Sequence, residues 1–302
     1  AVIQISFIDN GIGMTPDEMK ENLNQLSKSG GKNEHENYGI GGKISAITRN
    51  HIGIIYDSWK DGKGYRIVLH FNDDENEYGA KELLSENGKT FFVQPLEDGE
   101  KPDIIKESGT GTRVTLLGMQ ADEDTMRPPQ GARGGKSWLL QYANTKFFNI
   151  PDNIKLEVSV DYDVLNDEGK KDTRHNFLRE VKGQKTILDN NSQEKGVVDI
   201  TNAKVHWWIL KSERKQSSRE LLLGHTGCIN QDETFEIGIG NASRASKFGI
   251  WLGKEDVVIY VEPDKARYKQ KICRTKLAEL DGSDLPWARW EDEFAGKLPS
   301  EI

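Results

Sequence analysis

The chain opens on an alternation. Ile3, Ile5 and Phe7 are apolar, and Gln4 and Ser6 between them are polar, a period-2 pattern that predicts a strand with one buried face. The alternation stops at Asp9-Asn10-Gly11, a turn signal. Gly13 follows, and Met14 is apolar where a loop is usually polar. Thr15-Pro16-Asp17-Glu18 reads as a helix start, with Thr15 as N-cap, Pro16 at the first helical position and Glu18 closing a capping box. Met19, Leu23 and Leu26 form the apolar side of that helix. Thr15 to Tyr38 as a whole reads as a lid, in which residues 27–37 turn polar and glycine-rich, the composition of a mobile segment. A second glycine cluster, Gly39-Ile40-Gly41-Gly42-Lys43, leads into the helical run SAITRN.

Two alternating runs, HIGIIYDSW and GYRIVLHF, are joined by KDGKG and predict a hairpin with an Asp-Gly turn. The acidic stretch NDDENEYGAKELLSEN is expected to be a solvated loop or short helix, and an antiparallel strand run continues through KTFFVQPL. ESGTGTRVTLLG places Thr112 just ahead of a strand, with Arg113 beside it facing solvent. Residues 120–135 form a loop by composition. SWLLQYANTKFF is then a helix with Trp138, Leu139, Tyr142 and Phe147 on one side, and IKLEVSVDY is expected to complete the first sheet.

From about residue 166 the character changes. DEGKKDTRHN and LDNNSQEKG read as polar connectors between strands VVDI, AKVHWWIL, ELLLGHTGCI, TFEIGIG, FGIWLG and VVIYVEP. Many strands with few long helices suit an α+β domain. Trp207 and Trp208 should face opposite sides of their strand, one in the core and the other at an interface. DLPWARWEDEFAGKLPSEI reads as an amphipathic helix burying Trp287, Trp290 and Phe294. The expected division is 1–165 and 166–302, two domains for 302 residues.

Composition narrows the function classes. A net charge of −8 argues against a globally basic nucleic-acid binder. No apolar run approaches membrane-spanning length. Cys228 and Cys273 lie far apart and are expected to be reduced, in a cytoplasmic protein. His206, His225, Cys228 and Cys273 lack zinc-like spacing, and His35 between Glu34 and Glu36 reads as a solvated lid residue. GARGGKS, ending at Ser137, resembles a phosphate loop, but Gln130 stands where that motif needs glycine. The chain starts inside a strand without Met, as a piece of something longer would.

The two glycine clusters suggest a chemistry. A carboxylate at the end of a strand, Asp9, can accept a hydrogen bond from an exocyclic amine, and glycines beside it let a ring lie against bare backbone. Successive N–H groups at a helix N-terminus bind phosphate oxygens, and a lysine there adds positive charge. An amine-bearing base at one end and phosphates at the other describe a nucleotide site.

DNGIGM (9–14), GIGGK (39–43) and GTGT (109–112) together resemble three motifs of the GHKL ATPase superfamily, which includes gyrase, the heat-shock chaperone, MutL and the histidine kinases. Tyr38 before the second glycine box, Lys43 inside it and Gly111-Thr112-Arg113 ahead of a strand are most similar to the MORC-like branch. The resemblance implies an α+β fold: a GHKL (Bergerat-type) α/β sandwich, with helices on one face of a mixed sheet, followed by a transducer-like α+β domain. It implies binding of ATP with Mg²⁺, slow hydrolysis to ADP, and lid closure that drives homodimerisation, with DNA or a DNA-associated protein as partner. Asp9 would accept from the adenine amine, Gly11 and Gly13 would allow the ring to approach, Met14 would pack on it, and Thr112 would help hold it. Gly39, Gly41 and Gly42 would give N–H groups to the phosphates, Lys43 would neutralise charge, and Ser27, Ser29, Gly30 and Lys32 would reach the γ-phosphate. Lys247 is the candidate transducer lysine. In the resembled family the general base and the Mg²⁺ ligand come from a helix before the first strand. That helix is missing from this chain, so neither role is assigned to a residue and the chain alone is expected not to hydrolyse ATP. Two alternatives are a nucleotide-independent scaffold that keeps the fold and a histidine-kinase-like catalytic domain.

Overall fold

The computed structural model describes residues 3–23, 45–84, 88–132, 134–160, 168–170, 177–211, 226–236, 243–271 and 275–302. The chain forms two compact units, Ala1–Arg127 and Pro128–Ile302. Both combine sheets with short helices, an α+β architecture.

The first unit contains β1 (Ser6–Asp9), α1 (Pro16–Leu23), β2 (Ile54–Lys60), β3 (Lys63–Asn72), β4 (Glu77–Ala80), β5 (Leu83–Leu84), β6 (Thr90–Phe91), β7 (Gln94–Leu96), α2 (Asp103–Ser108) and β8 (Gly111–Leu116). Its main sheet runs β1-β8-β2-β3-β4, with β7 also on β3. Every pairing in it is antiparallel, where a mixed sheet was expected. For β2–β3 and β3–β4 the reason is local: these strands return through tight turns. Asp61 and Gly62 both have positive φ, 53° and 76°, the backbone of a two-residue hairpin turn that matches strand twist. At the next turn the Asn72 side chain accepts from the backbone N–H groups of Asp74 and Glu75. The acidic stretch expected as loop or helix therefore becomes a second hairpin and strand β4, where Tyr78 packs on Phe71 and donates to or accepts from His51 at 2.9 Å.

Alternation assigns the two faces of this sheet. Ile54, Ile67 and Leu69, with Tyr56, Val114 and Leu116, pack against Met19 of α1. The capping box forms: the Thr15 N–H donates to Glu18 at 2.7 Å, and the Glu18 N–H donates to the Thr15 hydroxyl at 3.3 Å. The opposite face carries Asp57, 1% exposed, which accepts from Arg66 and Arg113 on the two flanking strands, the closest contacts both 2.6 Å. Arg113 is thus an ion-pair partner lying 5.6 Å from the Trp59 ring centroid, not the solvent-facing side chain that was expected. Among the described residues β1 is an edge strand, paired only with β8, and Phe7 and Ile8 remain exposed; of the alternating run, Ile5 is buried.

The second unit contains α3 (Trp138–Lys146), β9 (Glu157–Val160), β10 (Phe177–Glu180), α4 (Gly183–Asn191), β11 (Ser192–Ile200), β12 (Ala203–Leu210), β13 (Thr226–Asn230), β14 (Glu233–Phe235), α5 (Ser243–Lys247), β15 (Val257–Pro263), β16 (Tyr268–Gln270), β17 (Leu277–Glu279) and α6 (Trp287–Ala295). Its main sheet runs β11-β12-β15-β13-β14, and β13 lies parallel to β15. Both faces are covered. Val205, Trp207, Ile259 and Val261 pack with Trp290 and Phe294 of α6. Trp208, Val258 and Tyr260 pack with Phe148 and Leu188. The tryptophan pair therefore serves two cores and leaves neither ring for an interface.

Several expectations change here. IKLEVSVDY does not complete the first sheet: β9 pairs with β10 in a two-stranded sheet of the second unit. The stretch LDNNSQEKG ends α4 and begins β11, held by Asp189 accepting from the Trp208 indole N–H at 2.9 Å. FGIWLG is a turn, with Phe248 and Ile250 buried and Trp251 exposed, because Gly249 and Gly253 take left-handed φ values of 82° and 62°. On α3 the inward residues are Leu139, Leu140 and Ala143, and Tyr142 is exposed.

Trp290 is fully buried, lies 5.5 Å from Tyr268 and 5.7 Å from Trp287, and donates to the Thr201 carbonyl at 3.3 Å. Trp290→Ala is expected to destabilise the second unit by about 3–5 kcal/mol, read from urea unfolding followed by circular dichroism. A loss below about 1 kcal/mol would show that α6 does not close this core.

Candidate functional site

The site is built where β1 ends. The Asp9 carboxylate accepts the Gly11 N–H on Oδ1 at 2.8 Å, an Asx turn that closes the chain on itself. Asp9 is exposed, and Oδ2 makes no hydrogen bond to the described residues. Gly13 has φ +63°, and a Cβ there would collide with the Trp59 carbonyl oxygen. Gly111 has φ +154°, and a Cβ there would collide with the Asp9 carbonyl oxygen. Only glycine allows the turn to lie this close to β2 and β8.

A buried hydroxyl joins the pieces. Ser58 of β2 is fully buried; its Oγ accepts the Met14 N–H at 2.8 Å, lies 3.0 Å from the Thr112 hydroxyl and donates to the Gly111 carbonyl at 3.2 Å. Thr112 sits directly opposite Asp9 on one side and Ser58 on the other. The GTGT motif thus divides its labour. Gly109, at φ +79°, ends α2 with its N–H on the Ile105 carbonyl; Gly111 meets Asp9; Thr112 meets Ser58.

The structure therefore brings together Asp9, Gly11, Gly13, Met14 and Thr112, and adds Ser58, Trp59 and Gly111. Sequence reading missed Ser58. Its one signal was a small polar residue at an inward position of the strand IIYDSWK. Tyr38, Gly39, Gly41, Gly42, Lys43 and the lid residues Ser27, Ser29, Gly30, Lys32 and His35 lie outside the described residues. Lys247 is exposed at the end of α5, in the second unit. Among the described residues no group of three or more His, Cys, Asp or Glu is placed to hold a metal ion. Cys228 is fully buried, and burial pushes its thiol well above its usual range, which leaves it inert.

Glu18 borders the turn, in the first turn of α1. Both carboxylate oxygens accept from Lys60 at 2.8 Å, in addition to the capping box. The Lys60 hydrogen bond, helped by the Thr15 N–H, lowers its pKa to about 2. A carboxylate held that low is a weak proton acceptor near neutral pH, so Glu18 is poorly suited to act as a general base. Across the sheet, Asp57 raises the Arg66 pKa and keeps the guanidinium charged.

No family model matches the chain. Among solved structures, the chain is similar to the B-subunit of the DNA gyrase from Myxococcus xanthus, at 11% identity, TM-score 0.45, with 98% of this chain and 81% of that one covered. It is similar to the 43K ATPase domain of Thermus thermophilus gyrase B in complex with an aminocoumarin, at 11% identity, TM-score 0.43, over 98% and 74% of the two chains. A third likeness is the topoisomerase IV ATP binding domain of Francisella tularensis in complex with a small molecule inhibitor, at 13% identity, TM-score 0.40, over 98% and 76%.

The Glu18–Lys60 clamp has a pH signature. The folded pKa of Glu18, about 2, lies below the unfolded value of about 4.3. Its contribution is therefore complete above the unfolded pKa and is lost as pH falls through the folded one. The melting-temperature gap between the native chain and Glu18→Gln should be present at pH 6 and shrink steadily below about pH 4. A gap independent of pH would mean that the carboxylate charge does not matter.

Proposed function

We propose that this chain binds ATP and acts as a nucleotide-dependent switch. The observation that supports this most is the turn at residues 9–14, fixed to β2 and β8 through Ser58 with an acceptor oxygen of Asp9 free of the described residues. A carboxylate with one oxygen tied to its own turn and the other available suits an exocyclic amine. Bare backbone at the exposed Gly11 suits a flat ring beside it, the buried Gly13 lets the turn close on Trp59, and Met14, half-buried against the α1 core, supplies an apolar floor. Gly39, Gly41, Gly42 and Lys43 take the phosphates on this reading, an assignment that rests on sequence alone. Mg²⁺ would accompany the phosphates, and no described residue is assigned to it.

The transducer-like role of the second unit, and that of Lys247 within it, rest on the motif resemblance alone. Homodimerisation on ATP binding, slow hydrolysis of ATP, a MORC-like place in DNA maintenance or defence, and a DNA-associated partner extend the motif resemblance and rest on it.

Asp9→Asn keeps the shape of the turn and removes the charged acceptor. ATP affinity is expected to fall about ten-fold or more in isothermal titration. Tight binding of ATP by the native chain with no loss in Asp9→Asn would remove Asp9 from the base contact. Failure of the native chain to bind any adenine nucleotide would favour the scaffold alternative.

A further inference from the structure

We propose that Ser58 is a specificity-determining positioning residue, which commits the Thr112 hydroxyl proton inward so that Asp9 and Thr112 face the ligand as a pair of acceptors and reject a base that carries a carbonyl where adenine carries its amine. This inference rests on the nucleotide reading of the same site.

A serine hydroxyl has one proton to give and two lone pairs to receive with. All three are accounted for around Ser58. The Met14 N–H, 2.8 Å away, is only a donor and takes one lone pair. The Gly111 carbonyl, 3.2 Å away, is only an acceptor and takes the proton. The Thr112 hydroxyl, 3.0 Å away, can then interact with Ser58 only by donating to the remaining lone pair. Ser58 is fully buried, so water does not compete for any of these positions. With a donor at one end and an acceptor at the other, the proposed chain runs from Thr112 through Ser58 to the Gly111 carbonyl.

The consequence appears at the neighbouring strand. Thr112 has spent its proton, and its oxygen keeps lone pairs alone. Asp9 is the residue directly opposite it in the β1–β8 pairing, so their side chains project from the same face of the sheet. A primary amine has two N–H groups and satisfies two such acceptors. A ring carbonyl in the same place faces two acceptors and leaves them unpaired, which is how a site built for an N–H group excludes its isostere. If Ser58 is removed, the Thr112 hydroxyl is free to rotate and donate outward, and one of the two acceptors becomes a donor that tolerates a carbonyl.

The test compares ATP with inosine triphosphate by isothermal titration, in the native chain, Ser58→Ala, Thr112→Val and Thr112→Ser. The native chain should prefer ATP, and the ratio of the two affinities should narrow by about three- to ten-fold in Ser58→Ala and in Thr112→Val. Thr112→Ser keeps the hydroxyl and should keep the native ratio, which a loss of packing alone would not achieve. If Ser58→Ala does not fold, the Thr112 pair decides on its own. ATP binding with a ratio unmoved by Ser58→Ala and Thr112→Val would overturn the hydroxyl chain while leaving the nucleotide reading intact. A native chain that binds neither nucleotide would overturn both.

Discussion

The close approach of three backbone segments, the 9–14 turn, β2 and the start of β8, is the constraint on which the first unit depends. Two glycines permit it, since side chains at Gly13 or Gly111 would strike the carbonyl oxygens of Trp59 and Asp9. One buried serine makes it hold, by meeting the Met14 N–H, the Gly111 carbonyl and the Thr112 hydroxyl together. Buried polar groups are costly when unpaired, so this junction has little freedom to rearrange. It delivers Asp9 to the surface in a set orientation, beside the start of α1, and the Thr15–Glu18 capping box with Lys60 fixes that helix start. The result is a carboxylate held in a set orientation at the end of a sheet strand, which fixes a side chain better than a loop does.

The two faces of the first sheet are stabilised by different physics. One is a conventional apolar face under α1. The other centres on a buried carboxylate between two guanidinium groups. Breaking such a pair leaves an uncompensated charge, so the arrangement is better understood as fixing the register of β3, β2 and β8 than as adding stability. That register sets Ser58 opposite Thr112, and the separate β1–β8 pairing sets Thr112 opposite Asp9. In the second unit, the described residues cover both faces of the main sheet with apolar side chains.

Much of this was legible in the residues. The capping box, the Asp-Gly hairpin, the Asp9 turn and the amphipathic helix at Trp287–Ala295 all follow from local chemistry, because each is decided within a few positions. What was not legible depends on partners distant in sequence. Arg113 looked like a solvated residue because its partner, Asp57, lies 56 positions away. Ser58 carried no motif, and its importance comes from strand pairing alone. β4 was hidden by acidic composition, which the Asn72-capped turn overrides. Trp207 and Trp208 were misjudged because one strand's alternation cannot reveal that helices cover both faces of its sheet.

The most direct test of the account is an amide chemical-shift titration of the chain with ATP. Binding at the proposed site predicts saturable shifts concentrated at Gly11, Gly13, Met14 and Thr112, with residues of the second sheet such as Val205 and Val258 unmoved by direct contact. Saturable shifts confined to the second unit, or none at any ATP concentration, would contradict it.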